Sequence, residues 1–247
     1  MIFCLIIGRG GSKGFPGKNT KEVMGKPLMA YPIIAAQNSK YVEDVFISTD
    51  SDEIKRIGEQ YGAKYIQRSP ELSTDAAIGE DVFKHGFLWI KKNINANIEV
   101  MVLLFCNVVC VSAELINLGI EALRENPELD SAVSVSRYNM WSPIRARKIN
   151  DQGLLDPFVP FDVFGDPNSL NCDRDSQGDV WFADMGVSVV RPRCLEEMEN
   201  GLLPQKWMGQ KIYPLKQEAG FDIDYEWQIP MVEWWIKKYG VESTNCN

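Results

Sequence analysis

The chain has 247 residues, 45% of them hydrophobic, and a formal net charge of −8. That length buries a full core as one domain with room for a subdomain, and that composition excludes a disordered polypeptide. The acidic balance argues against nucleic-acid binding, which needs a basic face. It fits a small anionic ligand held by a local cluster of cations.

The expected location is the cytoplasm, without membrane attachment. Residues 2–7 are too short for a signal core, the arginine follows them instead of preceding them, and no apolar run reaches the length of a membrane span. The six cysteines (Cys4, Cys106, Cys110, Cys172, Cys194 and Cys246) are scattered. Cys106 and Cys110 lack the second pair that a zinc site requires, so reduced thiols are expected. The single histidine, His85, sits in a helical pattern and is assigned no role.

Taken in order, residues 2–7 read as a buried strand that stops at a glycine-rich turn. Residues 27–38 read as a helix opened by Pro27, with Pro32 near its first turn. A strand at 45–48, a helix at 52–62 ending at Gly62 and a short strand at 64–66 follow. A helix over 76–92, a strongly buried strand at 100–105, a helix at 113–125 and a strand at 131–135 continue the alternation. This predicts an α/β fold with a mostly parallel, Rossmann-like sheet covered by helices on both faces, as a single domain over 1–247. Ligands in such sheets bind at the carboxyl ends of strands. The pattern breaks over 139–182, where four prolines interrupt it, and an extended or hairpin-like excursion is expected, lying over the site or exchanging with a second subunit. Residues 186–190 return to the core, and 225–239 form a last helix whose Trp227, Trp234 and Trp235 are expected to pack inside.

Three constellations carry chemistry. GRGGSKG at 8–14 matches neither the Rossmann fingerprint nor the P-loop. Its glycines Gly10 and Gly11 let the backbone approach a phosphate, with Ser12 beside them; Arg9 brings a forked donor and Lys13 a mobile charge. Lys18 and Asn19 add a second cation and an amide. STDSDEI at 48–54 puts Asp50 at a strand's carboxyl end, equally suited to a site or a turn, and Asp52 where it caps the next helix. FDIDYE at 221–226 alternates Asp222 and Asp224 along an extended segment, so both carboxylates face one way and suit Mg²⁺; for Asp224 the cap of the last helix is the competing role.

RGGSKG at 9–14, KN at 18–19, GKPL at 25–28, STDSDEI at 48–54, RSPELSTD at 68–75 and DID at 222–224 together resemble the acylneuraminate cytidylyltransferase family, in the family's order and across most of the chain. The resemblance implies a Mg²⁺-dependent homodimer with a dimerisation insert, here 139–182. It puts the nucleotide loop on Arg9, Gly10, Gly11, Ser12 and Lys13, then Lys18 and Asn19, an arginine closing over the nucleotide on Arg68, and the metal carboxylates on Asp222 and Asp224. Acceptor contacts would fall on Arg145, Arg174 and, within the strand-end segment, Asn107. That segment departs from the family's LLQPTSPLR: residues 103–111 read LLFCNVVCV, with Phe105 at the glutamine position and Val111 at the arginine. Gly8 replaces the family's alanine.

The function expected from this resemblance is transfer of CMP from CTP to a small acidic sugar with release of pyrophosphate. Arg9 and Lys13 would hold the β- and γ-phosphates, and Lys18 would stabilise charge at the α-phosphate. Two alternatives stay open. One is transfer of another nucleotide or to another acceptor, such as GTP with an amino-sugar phosphate or CTP with a phosphonate. The other is a non-catalytic nucleotide-binding protein of the same fold.

Overall fold

The structure, a computed structural model, describes residues 1–12, 14–74, 77–175 and 177–240. Lys13, Asp75 and Cys246 lie outside the described residues. The regular elements run β1 (Ile2–Ile7), β2 (Glu22–Val23), β3 (Lys26–Pro27), α1 (Ala30–Gln37), β4 (Asp44–Thr49), α2 (Asp52–Gln60), β5 (Lys64–Gln67), α3 (Gly79–Asn93), β6 (Val100–Phe105) and α4 (Ala113–Glu125). They continue with β7 (Ser131–Arg137), β8 (Arg147–Ile149), β9 (Leu155–Pro157), β10 (Trp181–Val190), α5 (Pro192–Glu196), β11 (Ile212–Gln217) and α6 (Ile229–Tyr239).

Seven strands form the main sheet in the order β11-β7-β10-β6-β1-β4-β5. The block β6-β1-β4-β5 is parallel, with Ile7 paired to Ser48 on one side and Phe105 on the other, and β10 joins β6 antiparallel. Chain order steps from β1 outward to β4 and β5, then crosses back to β6 on the other flank. The carboxyl ends of β1 and β6 therefore flank a topological switch point, where open α/β sheets leave a crevice.

β1 is apolar on every residue because both its faces are covered, and all six side chains are buried. Its neighbours Val102, Leu104 and Ile47 join it in the main core with Ile33, Ile54 and Ile116 from the helices. Phe46 is fully buried and packs edge-on to Phe3 and Trp89, with ring centroids 5.8 and 6.2 Å away. A second cluster gathers Phe15, Val23, Leu28 and Tyr31 from the first thirty-odd residues with Ile223, Val232 and Trp235 from the C-terminal region.

Local details correct the sequence reading. Pro27 lies in β3, not at a helix start; α1 begins at Ala30, with Pro32 in its first turn. Ser51, not Asp52, caps α2: its Oγ accepts the Ile54 N–H at 3.4 Å, and Asp52 is the first helical residue, where its charge favours the positive helix end. Of the three C-terminal tryptophans only Trp235 is buried; Trp227 and Trp234 are exposed. The buried stripe of α6 is Val232, Trp235 and Ile236, which joins the second cluster; Trp234 falls off it, and Trp227 precedes the helix.

Residues 136–183 form one compact unit and the rest of the described chain the other. The smaller unit holds the antiparallel hairpin β8–β9, where Ile149 pairs with Leu155, and several single-turn helices. Asn139 organises it: its Nδ2 donates to Asp175 at 2.6 Å and its Oδ1 accepts the Val180 N–H at 2.9 Å. Arg147 lies over the Phe161 ring at 5.3 Å. Among the described residues no helix is long and apolar enough to cross a membrane.

Candidate active site

The glycine-rich loop leaves β1 at Gly8 and is pinned from three directions. From β4, Ser48 O accepts the Gly8 N–H at 3.3 Å, and the Asp50 carboxylate accepts the Gly10 N–H at 3.1 Å. From the loop's far end, buried Asn19 donates through Nδ2 to Arg9 O at 3.0 Å. From the end of β5, Arg68 reaches under the loop and donates to Ser48 Oγ at 3.2 Å, Gly8 O at 2.9 Å and Ser48 O at 2.7 Å. Burial pulls the Arg68 guanidinium below its ordinary pKa, and the Asp50 charge partly offsets this. Asp50, equally suited by sequence to site or turn, is an anchor for the loop.

Gly8 and Cys106 are packed as a pair. A Cβ on residue 8 would overlap Cys106 Sγ and lie 2.8 Å from Cys106 Cβ. The glycine here makes room for the thiol behind it, and burial pushes that thiol's pKa to about 12, so it is an inert packing group.

The second wall is the strap 221–224. It is sewn to the end of β6 by Asn107, whose carbonyl accepts the Ile223 N–H at 3.0 Å and whose Nδ2 donates to Ile223 O at 3.1 Å. The Asn107 side chain also hydrogen-bonds to Asp222. Ile223 is fully buried, so Asp222 and Asp224 on either side of it face away from the core. Gln228 ties the strap to α6: its Oε1 accepts the Asp224 and Tyr225 N–H groups at 2.7 and 2.8 Å.

Loop and strap meet. Lys18 Nζ donates to Asp224 Oδ1 at 2.6 Å, across 206 residues of sequence. At Gly14 the loop passes close to the strap, since a Cβ there would sit 2.9 Å from Asp224 O. Burial, and next the Asp224 charge, push the Asp222 carboxyl above its ordinary range, while Lys18 and Asn107 partly offset this. Among the described residues no group of three or more His, Cys, Asp or Glu side chains is placed around a metal. The two aspartates offer oxygen ligands alone, the set a hard cation with retained waters takes.

Together the walls enclose a cavity of about 420 Å³. Its lining combines polar Arg9, Ser12, Lys18, Asn19, Arg68, Asn107 and Asp224 with apolar Ile7, Ile78, Val82 and Phe105. Phe105 is fixed by Phe83 and Trp207, with centroids 5.2 and 6.2 Å away. Beyond Asn107 the chain turns inward: Val108 to Val111 are buried. The remaining acceptor candidates belong to the unit 136–183 and are engaged within it, Arg145 donating to Cys172 O at 2.6 Å and Arg174 pairing with Asp175 at 2.8 Å. His85 is outside the cavity lining, and burial lowers its pKa. Sequence reasoning missed the anchoring work of Asn107 and Gln228. Gln228 stands three residues after Tyr225, the spacing of a capping box, and that was the available signal.

A cytidylyltransferase family model matches residues 3–151, and the chain belongs to that family. It is 32% identical over 245 residues to the post-translational flagellin modification protein B of Campylobacter coli, covering 98% of this chain and 97% of the relative. It is 26% identical over 242 residues to the N-acylneuraminate cytidylyltransferase of Oncorhynchus mykiss, covering 97% of this chain and 51% of the relative. The chain therefore spans about half the length of the fish relatives it matches along its whole length. The fold matches a CMP:2-keto-3-deoxy-manno-octonic acid synthetase complexed with CTP, with a TM-score of 0.69 at 15% identity over 96% of this chain and 98% of that one.

Asn107→Ala removes a part-buried donor and its bond to the Ile223 carbonyl, so a loss of about 1 kcal/mol is expected in urea unfolding. Limited proteolysis should then cut first near 220–226; an unchanged midpoint and cleavage pattern would speak against the clamp.

Proposed function

We propose that the protein transfers CMP from CTP to a small acidic sugar and releases pyrophosphate, with Mg²⁺ required. The observation that carries this reading is the Lys18–Asp224 contact, which brings a phosphate-type loop and one carboxylate of the Asp-x-Asp pair to one cavity. The relatives' names point the same way: an N-acylneuraminate cytidylyltransferase and a CMP-N,N'-diacetyllegionaminic acid synthase, the latter 36% identical over 102 residues.

In this reading N–H groups of the loop, with Arg9 and Lys13, hold the β- and γ-phosphates and take up charge on the departing pyrophosphate. Lys18, tethered beside Asp224, leans towards the α-phosphate. Asp222 and Asp224 would hold Mg²⁺, which when bound supplies charge neutralisation at the phosphate oxygens and polarises the acceptor hydroxyl. Asn107 and Gln228 keep the two carboxylates in place. The acceptor hydroxyl attacks the α-phosphorus as the bond to the bridging oxygen of pyrophosphate breaks, and catalysis rests on position and charge rather than on a covalent intermediate.

A screen of CTP, GTP, UTP and ATP against acid sugars, sugar phosphates and phosphonates tests this. Pyrophosphate should appear with CTP and an acid sugar, and turnover only with GTP or only with a phosphonate would replace the reading. Lys18→Ala should lower kcat by about 10²–10³. Its melting temperature should hold, because Asp224 is half exposed and such a pair adds little stability. Turnover near the wild-type rate would remove Lys18 from the mechanism.

The Asp222 environment gives a pH-dependent outcome. Its folded pKa is raised, so the folded state holds that proton more tightly than the unfolded chain does. The ionised form costs stability above the folded pKa, and the cost fades as pH falls through it. Without divalent cations, Asp222→Asn should therefore melt higher than the wild type at neutral pH, and the gain should shrink on acidification. A variant that melts lower at neutral pH would contradict this.

A homodimer formed through 139–182, in the cytoplasm, completes the proposal. Its support is the apolar surface of the hairpin, where the paired Ile149 and Leu155 are 75% and 69% exposed beside exposed Trp141, Phe158 and Val163. Light scattering should give the dimer mass for the wild type and the monomer mass for Ile149→Lys with Leu155→Lys; a monomeric wild type would rule the dimer out.

A further inference from the structure

Asp184 follows directly on the unit 136–183, belongs to the larger unit and is a buried carboxylate, only 5% exposed. Donors converge on it from β7, β10 and β11. The Ser134 hydroxyl donates to Oδ1, the Gly186 N–H reaches the same oxygen at 3.1 Å, and Gln217 Nε2 donates to Oδ2 at 2.9 Å. The backbone bends at this place: Met185 has a φ of 61°, in the left-handed region that non-glycine residues seldom take, and the Gly186 N–H turns back onto residue 184. A carboxylate accepts from all of these donors. An amide here would set its own NH₂ against that of Gln217. Asp184 is outside the cavity lining, so any part it has in the site is exerted through other residues.

Two routes lead from it to the strap 221–224. Gly220, just before the strap, passes so close that a Cβ there would overlap Asp184 Oδ2 and Gln217 Nε2. Gln217 Nε2 also donates to Cys110 O at 3.4 Å, and the Cys110 thiol accepts the Phe221 N–H. Cys110 is fully buried and packs in one cluster with Ile223. The strap therefore starts against Asp184, while Asn107 holds its middle and Gln228 its end. Asp222 is the next residue after Phe221, so a shift at 220–221 passes to both strap aspartates and to the Lys18 contact.

We propose that Asp184 is a positioning residue of the active site: it fixes the entry of the strap and so sets where Asp222 and Asp224 stand. Its consequence for cation binding rests on the Mg²⁺ reading above. Burying a charge adds little net stability; what it adds here is a single arrangement of the donors around it.

The test uses the intact protein and two readouts. Amide hydrogen exchange without metal reads the strap. The paramagnetic resonance signal of free Mn²⁺, with a methylene-bridged CTP analogue present, reads the cation site. In Asp184→Asn the amides of 222–224 should exchange about tenfold faster while those of β1 keep their rate, and Mn²⁺ affinity should fall about tenfold. Affinity for the CTP analogue without metal should stay unchanged. Gln217→Met keeps Asp184 and its other bonds; it should act in the same direction, and it carries the test if Asp184→Asn does not fold. The double variant Asp184→Asn with Gln217→Glu exchanges donor and acceptor, and should recover both slow exchange and Mn²⁺ affinity. Strap exchange unchanged in both single variants, a rise shared equally by β1, or no recovery in the double variant would overturn the proposal. Asp222→Ala separates the two levels. If it leaves Mn²⁺ affinity intact, the cation reading fails and the exchange data alone decide on Asp184. If it abolishes Mn²⁺ binding while the Asp184 and Gln217 variants bind Mn²⁺ as the wild type does, the positioning role fails and the cation reading stands.

Discussion

The site depends on burial of a small apolar cluster that ties the two ends of the chain together. Phe15 follows directly on the glycine-rich loop, Ile223 lies between the two aspartates, and both pack with Val109, Val232 and Trp235. Burying each such side chain is worth about 1.5–3 kcal/mol. That exceeds what the half-exposed Lys18–Asp224 pair can contribute, so the charges meet because the apolar residues place them, and the ion pair marks the result.

Within that frame, the backbone fixes charge in place before any ligand arrives. The loop carbonyls are held by Arg68 and Asn19, and one loop N–H by Asp50. The strap is held on one side by Asn107 and on the other by Gln228. Preorganisation of this kind is costly where a carboxylate is buried beside another, and the pKa of Asp222, raised first by burial and next by the Asp224 charge, registers that cost.

Much of the fold was legible. β1, β6 and α4 were placed closely from the sequence because continuous apolar runs and a helical period are strong local signals. Boundaries set by a single residue were harder. The cap of α2 moved by one position, and the start of α1 moved past Pro27 because a two-stranded turn intervenes. The tryptophans of α6 illustrate a different limit: composition marks them as apolar, but only the packing angle of the helix decides that Trp235 turns inward and Trp234 outward.

The chemistry-bearing residues were visible one by one, since a glycine-rich turn with cations and an Asp-x-Asp pair each have a local pattern. Their clamps were not. Asn107 and Arg68 act through backbone atoms far away in the chain, and a bond to a main-chain carbonyl leaves no trace in the partner's identity. The amino-acid order by itself determined the parallel sheet and the inventory of charged groups, because both follow from short-range pattern. Tertiary structure alone decided that residues 18 and 224 touch and that Phe105 lines the cavity, because those contacts arise only when distant apolar segments share one core.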